Sequence, residues 1–174
     1  MKKLIIVVLI ILAIVKLNNS NEIIIPNEAI RFRVIASSND KQDQKTKMLV
    51  RDNIQKYLYE DLVSTNNIEE ARVKVNNNIE KYKSNVKKSL DSINSNERFK
   101  INYGQNYFPE KKYKGVTYPE GYYESLVVTL GNGMGDNWWC VLFPPLCLLE
   151  AEETEEKEEV EYKFFIKELI DKYL

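Results

Sequence analysis

Glu124 and Asp136 are the two carboxylates best placed to work together. A glycosidase-type mechanism would need them facing each other across a sugar ring, one as acid and the other as base or nucleophile. Their spacing in the chain does not fix that separation, and as separate solvated groups they carry no chemistry. Trp138-Trp139 suggests an aromatic platform for sugars. Neighbouring strand residues point to opposite faces, so one indole belongs in the core and the other near the surface. Gly131-x-Gly133-x-Gly135 has the look of a phosphate loop, but the Lys-Ser/Thr pair is missing and a strand follows where a helix is needed. It reads instead as a mobile connection or as a backbone that approaches a partner closely. Cys140 and Cys147 are the only cysteines, and two thiols without a histidine or a second pair cannot complete a tetrahedral metal site. The chain has no histidine at all, which removes Ser-His-Asp triads, Cys-His pairs and His-ligated metals. No serine sits in a recognisable activated turn. The reading is of a protein without a catalytic kit, a cofactor or a metal.

The chain's two ends differ sharply in charge from its middle. Residues 1–20 carry three Lys and no acid, residues 21–149 carry 18 basic and 16 acidic groups, and residues 150–174 carry four Lys and ten acids. The near-neutral central part lacks the basic excess of a nucleic-acid binder. Lys2-Lys3 precede an unbroken apolar run from Leu4 to Val15, closed by Lys16 and a polar stretch, which is the pattern of an export signal. Twelve apolar residues make a helix of about 18 Å, short of the roughly 30 Å hydrocarbon core, so residues 1–20 read as a cleaved signal peptide. No Ala-x-Ala cleavage pattern follows, and an uncleaved tilted anchor is the alternative. Export places the cysteines in an oxidising space, where a Cys140–Cys147 bridge would close a ring of about eight residues.

Between the ends lies one domain, residues 21–149, of 174 residues in all, with 44% of the chain hydrophobic. Ala29–Ala36 alternates, with Ile30, Phe32 and Val34 on one face and Arg31 and Arg33 on the other, as in a half-buried strand. Ser37, Ser38, Asn39 and Asp40 supply capping oxygens to a helix over about 41–62, striped by Leu49, Val50, Ile54, Tyr57, Leu58 and Leu62. Asn67-x-x-Glu70 has the form of a capping box, and Ile68, Ala71, Val75, Ile79, Tyr82, Val86, Leu90 and Ile93 then recur as one long second helix. Strands follow at about 98–103, Tyr122–Leu130 and Trp138–Phe143, with a loop or irregular hairpin over Pro109–Gly121. The order β-α-α-β-β-β predicts an α+β fold, a mostly antiparallel sheet packed on two helices. Residues 150–161 hold eight Glu and one Lys, a solvated linker leading to a short amphipathic helix at 160–174.

Two segments resemble the stage II sporulation protein R family. The first is Ile30-Arg31-Phe32-Arg33-Val34-Ile35-Ala36, leading through Asp43-Gln44 and Lys47 to Val50-Arg51-Asp52. The second begins at Tyr122-Tyr123-Glu124-Ser125-Leu126, runs through the three glycines, and ends in Asn137-Trp138-Trp139-Cys140-Val141-Leu142-Phe143-Pro144-Pro145-Leu146-Cys147. With Tyr107-Phe108-Pro109 between them, the resemblance covers about 30–147. It departs at Ser37, where the family favours Asn, and it leaves the acidic tail outside.

The resemblance implies an intercompartmental signal of sporulation, made in the forespore and exported across its membrane into the space facing the mother cell. It implies activation there of a membrane-embedded aspartic protease that trims pro-sigma-E, so that catalysis belongs to the partner. A ligand of that kind needs an interface with the protease beside the forespore or mother-cell membrane surface. The candidate surface is Gly131, Gly133, Gly135, Asn137 and Trp138 or Trp139, next to Arg31 and Arg33, because aromatic and Arg anchors dominate interface energetics. The alternatives are a secreted wall-directed enzyme using Glu124 and Asp136 and a carbohydrate-binding module using the Trp pair.

Overall fold

Strand alternation and helical periodicity of this kind need a shared core, and the computed structural model, which describes residues 28–113 and 116–144, supplies one. The export segment, Cys147 and the acidic tail lie outside the described residues. The elements are β1 (Ile30–Ile35), α1 (Lys41–Leu62), α2 (Ile68–Asn77), α3 (Ile79–Ser92), β2 (Phe99–Phe108), β3 (Lys111–Tyr113), β4 (Val116–Tyr118), β5 (Gly121–Leu130) and β6 (Asn137–Phe143). Four strands form a sheet in the order β2-β5-β1-β6, and β3 and β4 form a separate two-stranded hairpin. β1 runs parallel to β5 and antiparallel to β6, while β2 and β5 pair antiparallel over ten residues. The fold is α+β as its element order predicts. The sheet is mixed, since the return through the helices and β2 brings β5 alongside β1 in the same direction.

Ile30, Phe32 and Val34 of β1 meet Leu126, Val128 and Leu130 of β5 in a core that α1 covers with Val50, Ile54, Leu58 and Leu62. The i, i+4 spacing of those four residues places them on one stripe, and each buried aliphatic or aromatic side chain contributes roughly 1.5–3 kcal/mol. α3 adds Tyr82, Val86 and Leu90. Tyr82 is buried along its ring, and its hydroxyl donates to Asp61 Oδ2 at 2.8 Å. Asp61 also takes Lys81 Nζ at 2.7 Å, so one carboxylate ties the end of α1 to α3.

The long second helix expected over 67–93 is two helices. Asn76, Asn77 and Asn78 are weak helix formers whose amides compete for backbone groups. Asn78 Nδ2 donates to Lys74 O at 3.0 Å and ends α2, and Asn78 O then accepts from Tyr82 N at 3.0 Å to start α3. The apolar steps from Val75 to Ile79 and Tyr82 carry across the interruption. The Asn67 cap forms as predicted, with Oδ1 accepting from Glu70 N at 2.9 Å. The Glu70 carboxylate reaches back one residue further than a capping box requires, to Asn66 N at 3.1 Å. At α1 the Asp40 side chain makes no cap, and Ser38 Oγ instead accepts from Asp40 N at 3.1 Å and donates to Asp43 Oδ2 at 2.6 Å. No described helix is long and apolar enough to cross a membrane.

The Asn67→Ala substitution removes the acceptor for Glu70 N and should cost about 1 kcal/mol. Urea unfolding measures this directly, as a lower midpoint at constant slope, and an unchanged midpoint would assign the start of α2 to its packing alone.

Candidate functional site

On the side of the sheet away from the helices, the odd-numbered residues of β1 would be wet if that face were open. It is closed. Arg31 is only 2% exposed, and its guanidinium carbon lies 3.3 Å from the centroid of the Tyr123 ring, 5.2 Å from Trp139 and 5.4 Å from Phe108. Tyr118, at the end of the β3–β4 hairpin, packs edge-on against Trp139 at 4.9 Å and helps to roof the cluster. Arg31 Nε and Nη1 have no hydrogen-bond partner. The charge is held by ring faces instead of by a carboxylate, and burial pushes the guanidinium below its ordinary pKa against the pull of Tyr123. Arg31 is therefore no surface contact, which corrects the expectation that both arginines of β1 face outward.

Arg33, the next residue on that face, is half-buried. Its Nη1 donates to Tyr107 O at 3.0 Å and its guanidinium carbon sits 5.2 Å from the Phe108 ring centroid. The Asn137 amide, oriented with its oxygen toward the guanidinium, accepts from Nη2 at 2.8 Å. These contacts bring the far end of β2 against the start of β6 and leave a cleft of about 360 Å³ between them, lined by Phe108, Pro109, Glu110, Lys111, Gly135, Asp136, Asn137 and Trp139. Arg33, Gly135, Asn137 and Trp139 thus come together as the sequence suggested, with Arg31 directly behind Phe108 and Trp139.

The triple glycine packs against the chain's own backbone. Gly131 and Gly133 have φ of 50° and 66°. A Cβ on Gly131 would come within 2.1 Å of Ser37 Oγ, and one on Gly135 within 2.2 Å of Ser38 O. That closeness allows Met134 N to donate to Ser37 O and Gly135 N to Ala36 O, each at 3.0 Å, and Asp136 N to donate to Asn39 Oδ1 at 2.6 Å. The loop is laced to the β1–α1 turn, and Met134 projects from it with 81% of its surface exposed. Beneath it Lys47, only 6% exposed, donates to Gln44 Oε1 at 2.5 Å and to Asp136 O at 3.1 Å. Burial depresses its ammonium pKa, Asp136 raises it, and the nearby charges of Lys111 and Arg51 lower it again.

Glu124 and Asp136 are far apart. Glu124 lies on β5 beside Ser125, the partner of Arg31, whereas Asp136 precedes Asn137, the partner of Ile35. About six strand rows separate them, roughly 20 Å, well beyond the roughly 5–9.5 Å of a glycosidase pair. Glu124 is engaged elsewhere, accepting Arg72 Nη2 at 2.9 Å and Tyr103 OH at 2.6 Å, and this bond is the main reason the Arg72 pKa is raised. Trp138 and Trp139 occupy opposite faces and form no common platform. Trp138 meets Phe32 edge-on at 5.9 Å under Arg51, and Trp139 meets Phe108 at 5.8 Å. Among the described residues no cysteine is free and no acidic or thiol cluster could hold a metal. Cys140 lies in β6, and Cys147, the other half of the expected bridge, is outside the described residues.

Sequence reasoning missed Phe108, Tyr118, Tyr123, Lys47 and Lys111. A signal existed for Tyr123, because Leu126-Val127-Val128 is apolar without alternation, as in a strand covered on both faces. Tyr123 shares its parity with Val127 and so belongs on the second buried face.

A family model described as stage II sporulation protein R matches residues 26–153. The chain is 36% identical over 157 residues to the stage II sporulation protein R of Bacillus subtilis (strain 168), covering 90% of this chain and 70% of that protein. No solved structure matches it.

Arg31→Met keeps the side chain's length and removes the unpaired charge, so its urea midpoint should match or exceed that of the parent. Tyr123→Ala leaves the guanidinium against a void and should cost about 2–4 kcal/mol. A Met variant weakened by more than about 1 kcal/mol would show that the ring-stacked cation is itself stabilising.

Proposed function

The chain belongs to the stage II sporulation protein R family, and from that premise we propose that it is an exported signal between the two compartments of a sporulating cell. In this reading it leaves the forespore through its N-terminal segment, retained or released. It then activates a membrane-embedded aspartic protease, which trims pro-sigma-E. The observation that carries the reading is the span of the family match, residues 26–153, which takes in every described strand and helix.

The ligand acts by binding. It favours the active state of the protease only to the extent that it binds that state more tightly than the inactive one. We place the contact surface on the loop between β5 and β6 and not on the indoles, and the packing of these residues supports that choice. Both tryptophans are packed against other rings, so replacing either disturbs the fold, whereas Met134 touches solvent and is presented by a backbone fixed at Ser37, Ala36 and Asn39. A disulfide from Cys140 to Cys147 would hold the end of β6 in the oxidising space where the contact occurs.

Co-expression of the chain, the membrane protease and tagged pro-sigma-E in a non-sporulating host tests the reading by immunoblot. Cleavage should require residues 1–20, and Met134→Glu should reduce it about tenfold or more while leaving the thermal midpoint of the secreted domain unchanged. Absence of cleavage with all three proteins verified as present would move the wall-directed alternatives to the front. Full cleavage by Met134→Glu would reject the loop as the contact.

A further inference from the structure

A carboxylate is built into the contact between the β1–α1 turn and the β5–β6 loop. Glu97, two residues before β2, is half-buried against Gly131, and its Oε1 stands 2.8 Å from the point that a Cβ on Gly131 would occupy. The backbone keeps it there. Glu97 N donates to Ser95 Oγ at 3.2 Å, and the next carbonyl, Arg98 O, accepts from Gly131 N at 2.7 Å. Ser37 joins the two sides, since its Oγ accepts from Asn132 N at 3.4 Å and its side chain hydrogen-bonds the Glu97 carboxyl.

Among the described residues no cation forms an ion pair with Glu97. The charge that acts on it is another acid, Asp43 of α1, whose carboxylate accepts from Ser38 Oγ at 2.6 Å, so each carboxylate holds one of two adjacent serines. Of the other charged groups around the contact, Arg98 is exposed, and Lys47 of α1 is spent on the carbonyl of Asp136. Burial pushes the Glu97 carboxyl above its ordinary pKa, the hydrogen bond with Ser37 draws it down, and Asp43 pushes it up again. Protonation relieves both the desolvation and the repulsion, and opening the loop to water relieves them too. Loop closure and proton uptake therefore favour each other: the closed loop gains at acid pH, and the gain is lost as the pH rises through the raised pKa. We propose that Glu97 is a proton-operated latch on the β5–β6 loop, which holds the loop against Ser37 when protonated and loosens it, Met134 included, when ionised. That loosening changes the contact with a partner rests on the signalling reading, whereas the latch itself is measured on this chain alone.

Amide hydrogen exchange of the full chain, corrected for the intrinsic pH dependence of the amides, reads the latch directly. Between the ordinary carboxylate value of 4.5 and about pH 8, protection at Met134, Gly135 and Asp136 should fall at least about threefold, while the amides of β1 and β5 keep theirs. Glu97→Gln cannot ionise, and it should show at every pH the loop protection that the parent shows at the acid end. Asp43→Asn keeps an acceptor for Ser38 and removes only the charge, so it should retain the fall and move it toward acid pH. Loss of cleavage in the co-expression assay would leave these rates as they are, so failure of the signalling reading and failure of the latch are separate results. Protection independent of pH in the parent would overturn the proposal. So would a fall of equal size in Glu97→Gln, or one that Asp43→Asn leaves at the same pH.

Discussion

Everything in this domain follows from β1 being an interior strand. It lies between β5 and β6 with both edges hydrogen-bonded, so both of its faces must be covered, and the chain covers them in different ways. Toward the helices Ile30, Phe32 and Val34 join an ordinary apolar core. Toward the other side the strand offers two arginines, and the covering is built from aromatic rings because a ring face can hold a desolvated guanidinium that no carboxylate reaches. Phe108 from β2, Tyr123 from β5 and Trp139 from β6 converge on Arg31 for this reason. The ends of β2 and β6 are drawn together, and the cleft between them is a product of that convergence.

The second organising contact is between two loops distant in sequence. Ala36–Asn39 and Gly131–Asp136 exchange four backbone or backbone-to-side-chain hydrogen bonds at 2.6–3.4 Å. Glycine is needed at 131 and 135 because Ser37 and Ser38 occupy the space where their Cβ atoms would be. Both segments belong to the resemblance visible in the sequence, where they look like a helix cap and a flexible connection. In three dimensions they are the two halves of one contact, and Lys47 from α1 fastens it from below by donating to Asp136 O.

Much of the fold was legible in the chain. β1, α1, β5 and β6 fall within a residue or two of their predicted bounds, because alternation and the i, i+4 stripe are imposed by burial itself. The break at Asn78 was hidden because the apolar steps continue across it, and only the run of three asparagines hinted at it. The site was half legible. Arg33, Asn137 and Trp139 do gather on one face, but Arg31 was placed in solvent, since alternation alone cannot reveal that a hairpin about twenty residues earlier than β6 folds over the polar side of the strand. Lys47 was absorbed into the resemblance without a role, because its partner is a backbone carbonyl and leaves no mark in the sequence.

The way the β5–β6 loop is held also bears on the role of ligand proposed for this domain. A loop that must be ordered on binding costs about 0.5–1.5 kcal/mol for each side chain immobilised, and that cost is subtracted from whatever discrimination between partner states the contact provides. Here the ordering is done in the free protein. Gly131 and Gly135 fit closely against Ser37 and Ser38, so Met134 is displayed at the end of a braced turn whose geometry is set by the sheet and α1 together. An apolar anchor presented this way can spend its burial free energy on distinguishing one state of a partner from another, which is the only means by which a ligand without chemistry shifts an equilibrium.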